Sequence, residues 1–305
     1  MSLRSTRQPP SLKQGDAIAV IAPAGAFDPQ KLEIGKQIWL DHGFQIRLEP
    51  ENFIIQQYLA GSDQQRADLI NRALADEQIK ALVCARGGYG TMRLLDRLEL
   101  HRLDGQPKII IGFSDATALL SAVWTQCRLI TFSGPMIAGE QIARLNYDDQ
   151  NEYFSILAGE TPPPLTSERA SYLAEGQAEG ALLGGNLTML CHLAAAGRLP
   201  SLDGAVLLIE DIHEAPYRID RSLTALRLGG HLDGIAGIAC GSFGPKINDE
   251  TLHWILRQCL GDLSVPIITG LPLGHDDSNR LVPLGAEVVI DGKLPGVQFL
   301  QSGTC

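Results

Sequence analysis

Apolar residues in the first half of the chain fall into short runs of strand length: Ala17 to Ile21, Phe44 to Leu48, Ala81 to Cys84, Ile109 to Ile111 and Leu129 to Phe132. Between them lie stretches in which apolar side chains return every three or four positions. Examples are "PQKLEIGKQIWLDHG" and "SDQQRADLINRALADEQ", the second opening on a Ser and an Asp suited to cap a helix. Strands alternating with amphipathic helices predict an α/β fold with a parallel, doubly wound sheet up to about residue 150. The pattern breaks in "GETPPPLTSERASYLAEGQAEG", where three consecutive prolines and small polar residues disfavour helix and sheet interiors. We therefore expect an N-terminal domain over 1–160, a connection over 161–176 and a smaller domain over 177–305. The second half opens with "GALLGGNLTMLCHLAAAG", a Gly-rich turn into an apolar helix, followed by the strand-like "GAVLLIEDI". "GIAGIACGSFG", "VPIITGLPLGH" and "AEVVIDG" then read as short strands with Gly turns, in a smaller α/β or β-rich domain whose topology the pattern does not reveal. No internal repeat or low-complexity tract interrupts it.

Composition narrows the classes of function. A chain of 305 residues that is 45% hydrophobic buries a sizeable core, in two domains rather than one. Its formal charge of −10 opposes the phosphate backbone of nucleic acid, whose nonspecific binding needs Lys and Arg. The start, "MSLRSTRQPPSLKQGD", lacks the apolar segment of a secretory signal, and no run reaches the roughly 18 apolar residues of a membrane span. The six cysteines are scattered singly and read as small core residues in a reducing compartment. The expectation is a soluble, cytoplasmic protein with neither nucleic acid nor membrane as partner.

Candidate chemistry centres on "IIIGFSDATALLSAVW", from Ile109 to Trp124. Ser114 follows an apolar strand and precedes a helical pattern, so it suits a helix N-cap, with Asp115 complementing the helix dipole. The same spacing, Gly112-Phe113-Ser114-Asp115-Ala116, partly matches the G-x-S-x-G nucleophile elbow, with Ala in place of the second Gly. A second Gly-rich turn, "CARGGYGTMRLL", follows the strand ending at Cys84. Gly87 and Gly88 there would let backbone N–H groups approach a ligand, and the Asp115 N–H is a natural companion donor for an oxyanion. Read as a phosphate loop, the same turn lacks the GxxxxGK[ST] lysine and the GxGxxG spacing.

A serine nucleophile needs a base and an acid to orient it. Of seven histidines, His192 and His253 sit in helical patterns and suggest packing. His275 ends an apolar strand in a polar loop, where catalytic groups concentrate. With Asp276 and Asp277 it makes a weak metal motif, because adjacent residues seldom converge on one ion. In "AVLLIEDIHEAPYRIDR" an acid, Glu210, stands where a buried strand surfaces, with Asp211 and Glu214 as alternatives. A carboxylate buried there would cost several kcal/mol unless paired, roughly, and an imidazole is a fitting partner. Arg218, Asp220 and Arg221 read as an ion-pair face.

Taken together, "GDAIAVIAPAG", "ARGGYG", "GFSDATALL", "LLGGNLTML", "LLIEDIHEAPYRIDRSL" and "LPLGHDDSNRLVPLGAEV" resemble, in order and over nearly the whole chain, the LD-carboxypeptidases that trim muropeptides and the related microcin C self-immunity peptidases. The resemblance implies a Rossmann-like N-terminal domain similar to class I glutamine amidotransferases, a swivelling β/β/α-type C-terminal domain and a homodimer. It implies a triad carried by Ser114, Glu210 and His275, with oxyanion donors at the Gly88 and Asp115 N–H groups and no metal or organic cofactor. The implied reaction releases the terminal D-alanine from a murein tetrapeptide in peptidoglycan recycling, and the "EAPYRIDR" ending favours this branch over the immunity branch. For the substrate carboxylate, Arg86 is the first candidate and Arg218 the second, with Tyr89 and Asn186 lining the pocket. A thiol hydrolase of the amidotransferase type would need cysteine at position 114, and a non-catalytic peptide-binding module would have no use for the three triad residues.

Overall fold

In the computed structural model, which describes residues 5–276 and 278–305, the first apolar run forms β1 (Ala17–Ile21), buried along its whole length. The next runs become β2 (Gln45–Arg47), β3 (Ile79–Cys84), β4 (Ile109–Gly112) and β5 (Thr131–Ser133). The second half supplies β6 (Ser171–Ala174), β7 (Ala178–Asn186), β8 (Val206–Glu210), β9 (Gly237–Cys240), β10 (Ile267–Thr269), β11 (Val282–Leu284), β12 (Glu287–Ile290) and β13 (Gln298–Phe299). Contacts divide the chain into two units. One is Met1–Glu160 with Arg280–Gly285 and Ser302–Cys305, and the other is Thr161–Asn279 with Ala286–Gln301.

The first unit holds a six-stranded sheet in the order β11-β5-β4-β3-β1-β2, parallel except for β11, which runs antiparallel to β5. The order of its first five strands, 2-1-3-4-5, reverses direction between β1 and β3. In open sheets of this kind ligands gather beyond the carboxyl ends of the strands at that reversal. The loops leaving β1 and β3 do meet there, the Gly25 N–H donating to the Gly87 carbonyl at 3.2 Å. The helices between the strands carry the caps their sequences advertise. Asp28 accepts from the Gln30 N–H ahead of the helix Pro29–Asp41. Ser62 and Gln65 form a reciprocal capping box on Asp63–Ala75. Trp39, fully buried on the first of these helices, packs edge-on against Phe44 and Phe154 at 5.3 and 4.9 Å between ring centres.

The second unit holds a seven-stranded sheet in the order β13-β12-β7-β8-β9-β10-β6. β7 to β10 run parallel, and antiparallel strands flank them on both sides. β7 lies so close to β8 that a Cβ on Gly184 would sit 2.0 Å from the Leu208 carbonyl oxygen, and Gly184 also has φ of +131°, so only glycine fits there. The stretch 161–176 contains β6, and residues 280–285 return to the first sheet as β11 before the chain re-enters the second. All six cysteines are free thiols, and burial pushes that of Cys240 up to about 12. Among the described residues, no helix is long and apolar enough to cross a membrane.

Candidate active site

β4 ends at Gly112, Phe113 continues extended, and Ser114 turns into the left-handed region with φ of +62° before a single 3-10 turn, Ser114–Ala116, and the helix Thr117–Cys127. A non-glycine residue held there costs on the order of 1–2 kcal/mol, so surrounding packing must impose it. That packing is visible: a Cβ on Gly112 would stand 2.6 Å from the Ala116 Cβ and 3.1 Å from Cys84 Sγ. Strand and helix approach so closely that position 112 must be glycine and position 116 very small. Neither the turn nor the helix after it has a side-chain cap, so Ser114 does not serve as an N-cap.

The Gly-rich loop after β3 lies against this turn. A Cβ on Gly87 would come within 2.9 Å of Ser114 Cβ and 3.0 Å of its Oγ, and Gly88 adopts φ of +112°. Asp115 locks the two segments together. Its carboxylate, on a residue only 2% exposed, accepts from the Thr91 N–H at 2.9 Å, at the start of the 3-10 helix Thr91–Arg97. An anion of the protein's own thus fills the helix end that a phosphate loop would offer. Arg86 is exposed and donates through Nη1 to the Ala26 carbonyl at 3.0 Å, while Tyr89 is 51% exposed with its ring 5.9 Å from that of Tyr58.

The second unit carries the acid and the imidazole. Glu210, at the carboxyl end of β8 and 2% exposed, presents Oε2 at 2.8 Å from Nδ1 of His275, whose side chain is partly exposed. Gly274 lets the loop lie on the carboxylate, since a Cβ there would be 3.2 Å from Glu210 Oε2. Burial pushes the Glu210 carboxyl above the usual range, and the hydrogen bond and charge of His275 draw it back down.

The neighbouring acids are otherwise engaged. Asp211 accepts at Oδ1 from Asn186 Nδ2 (3.1 Å) and the Ile212 N–H (2.8 Å), and at Oδ2 from the Thr188 N–H (2.9 Å) and hydroxyl (2.8 Å). With Asn186, buried and capping Met189 N–H at 3.1 Å, it braces the start of the helix Leu187–Ala195. Glu214 pairs with Arg218 at 3.5 Å, and Arg218 also donates to the Tyr217 hydroxyl at 3.2 Å on an exposed helix face. His253 contacts Thr269 Oγ1 at 3.1 Å, whereas His192 is exposed rather than packed. Asp276 accepts from the Ser242 hydroxyl, and Asp277 lies outside the described residues. Among the described residues, no group of three or more His, Cys, Asp or Glu is placed to hold a metal ion.

Two clusters therefore emerge: Ser114 with Gly87, Gly88 and Asp115 in the first unit, and Glu210 with His275 in the second. From the sequence, Asp115 stood out for its N–H and for the dipole of the helix that follows it; its side-chain bond to the Thr91 N–H, across 24 residues, left no local signal beyond an acid immediately after the turn serine.

Residues 18–134 match the LD-carboxypeptidase N-terminal domain, and residues 179–290 match the LD-carboxypeptidase C-terminal domain. The murein tetrapeptide carboxypeptidase of Pseudomonas aeruginosa is 33% identical over 286 residues, covering 90% of this chain and 93% of its own. The crystal structure of a muramoyltetrapeptide carboxypeptidase from Oxalobacter formigenes aligns with a TM-score of 0.80 at 29% identity, over 92% of this chain and 97% of that one. That of an MccF-like protein from Bacillus anthracis shares the fold, with a TM-score of 0.88 over 96% and 99% of the two chains, at 22% identity.

Proposed function

Because the chain belongs to the LD-carboxypeptidase family, we propose that it is a serine carboxypeptidase releasing the terminal D-alanine from murein tetrapeptides in cytoplasmic peptidoglycan recycling. The bond cut is the amide between the L-centre of meso-diaminopimelate, or L-lysine, and D-alanine. The observation that carries this reading is the 2.8 Å contact between His275 Nδ1 and the buried Glu210 carboxylate. Such a contact keeps the proton on Nδ1 and leaves Nε2 as the basic nitrogen.

In this reading, Ser114 Oγ attacks the scissile carbonyl while His275 Nε2 takes its proton. Glu210 stabilises the imidazolium that forms. The oxyanion is met by the Gly88 and Asp115 N–H groups, a contribution of about 3 kcal/mol per donor in comparable enzymes. His275 then protonates the departing D-alanine amine, and water, deprotonated by the same imidazole, releases the tripeptide and restores Ser114. Arg86 is the candidate for the terminal carboxylate, through the two parallel bonds a guanidinium offers, and Tyr89 for the pocket wall. Asn186 acts through its brace on Asp211 beside Glu210, and Arg218 is the second candidate for the carboxylate. Identity to the murein tetrapeptide carboxypeptidase, 33%, is higher than to the microcin C7 self-immunity protein of Escherichia coli, 26%, which favours the muropeptide substrate.

The test is incubation of the protein with murein tetrapeptide and, separately, pentapeptide, with free D-alanine followed by mass spectrometry. One D-alanine per tetrapeptide, an intact pentapeptide and no inhibition by EDTA are expected. No release from the tetrapeptide, or release abolished by the chelator and restored by metal, would refute the proposal.

A further inference from the structure

We propose that a cleft in the first unit, beside the Gly-rich loop, binds a free carboxylate that the substrate carries on the amino side of the scissile bond; this rests on the tetrapeptide reading above. The cleft has a volume of about 410 Å³ and is lined by Gln57, Tyr58, Leu59, Asp63, Arg93 and Arg97 among others. Its charge is unlike that of the chain. Two guanidiniums line it against one carboxylate, in a protein of formal charge −10. That carboxylate is already shared: Asp63 takes Arg66 Nη2 at 2.5 Å on one oxygen and Arg93 at 2.9 and 3.0 Å on the other. Arg97 bonds through its guanidinium only to the neutral Gln64 Oε1, at 3.2 Å, and has no carboxylate partner among the described residues. An exposed cation in a concave site is what an anionic ligand needs.

The wall of the cleft is built rather than loose. Gln56 and Leu59 exchange backbone hydrogen bonds at 2.9 and 3.0 Å, closing a tight turn whose tip holds Gln57 at φ of +58° and Tyr58, 63% exposed. This turn adjoins the loop at Ser114. A Cβ on Gly90 would touch Leu59 at 2.7 Å, and the carbonyls of Tyr58 and Gly87 both flank Gly25. Arg93 and Arg97 follow Thr91, which Asp115 holds, by two and six residues. At about 2 Å per residue of 3-10 helix, they stand about 4 and about 12 Å along it. An extended peptide advances about 3.4 Å per residue, so a group one or two residues before the reacting carbonyl falls within reach of these long side chains. In a murein stem, the residue there is a γ-linked D-glutamyl unit with a free α-carboxylate. Its alkyl arm would lie on the Tyr58 ring, and its charge on Arg97.

Binding of two tetrapeptides that differ only in having that α-carboxylate or its carboxamide tests the assignment. They would be titrated calorimetrically at low salt into Ser114→Ala protein, where no turnover intervenes. The acid form is expected to bind about tenfold or more tighter, and Arg97→Gln in the same background to narrow the gap to about twofold by weakening the acid form alone. Equal affinity for the two peptides, equal weakening of both by Arg97→Gln, or no binding of either would overturn the assignment. The carboxypeptidase reading fails separately. Should the wild-type protein show the charge preference yet release no D-alanine, the cleft stands and the reaction falls; release without the preference gives the reverse.

Discussion

Ser114→Ala is expected to lower D-alanine release from the tetrapeptide by about five to six orders of magnitude while the protein stays folded. Removing the nucleophile of a comparable triad costs about this much, because base and acid have nothing left to activate. The backbone makes the expectation sharper. Ser114 sits at φ of +62°, and its hydroxyl caps no helix, so alanine removes an oxygen from a position that stability does not need. The Cβ and its strain remain, and the melting temperature should move little. Ser114→Gly relieves the strain as well, so it is expected to be equally inactive and more stable by about 1 kcal/mol. Rates of D-alanine release and thermal denaturation of the three proteins decide this. A Ser114→Ala rate within tenfold of wild type would remove the serine from the mechanism.

The second large effect is expected at Glu210. Glutamine keeps the shape but loses the charge that stabilises the imidazolium, and its amide N–H donates to His275 Nδ1 and leaves the ring proton on Nε2; the comparable change in another triad costs about 10⁴ in kcat. Stability should move the other way. Burial holds the Glu210 carboxyl above its ordinary value of 4.5, so the folded state binds this proton more tightly than the unfolded state does. Its contribution to stability is fully present below the unfolded value and is lost as pH rises through the raised folded one. Ionised Glu210 therefore weighs against the fold at neutral pH, and the neutral amide of the Glu210→Gln variant would carry no such burden. The melting temperature of Glu210→Gln relative to wild type is expected to climb with pH from about 4.5 upward. Near-inactivity joined to equal or greater stability marks a group held for chemistry rather than for the fold. A variant that keeps wild-type kcat, or a stability difference flat from pH 4 to 8, would contradict this role.

Much of the first sheet was legible because parallel strands covered on both faces appear as unbroken apolar runs, and β1, β4 and the part of β3 after Lys80 are such runs. Ser62 announced its helix by residue type alone, whereas the capping box that Gln65 completes shows only in the folded chain. The sharpness of the turn at Ser114 was also local information, since Gly112 and Ala116 are the small residues that a 2.6 Å approach demands. β11 was not legible. It is three residues long, contains Pro283, and pairs with a strand some 150 residues earlier, so neither periodicity nor length marks it. β6 hides for a related reason, as a short flanking strand with exposed and half-buried residues inside a polar, proline-led stretch.

The choice among Glu210, Asp211 and Glu214 also needed three dimensions. Successive side chains at a strand end point to opposite sides, so only one of the first two can face a given imidazole. Glu210 meets His275, Asp211 turns to Asn186 and Thr188, and Glu214 is taken by Arg218. His192 was misleading because an apolar helical stretch does not say which of its faces is covered, and this histidine lies on the open one.

If an acyl group passes through Ser114 Oγ, an added nucleophile competes with water for it. With hydroxylamine present during turnover of the tetrapeptide, the tripeptide hydroxamate is expected beside the free tripeptide, in a ratio that rises with hydroxylamine concentration. Undiminished D-alanine release with no hydroxamate at any concentration would mean that water attacks the carbonyl directly, and would contradict a serine acyl-enzyme.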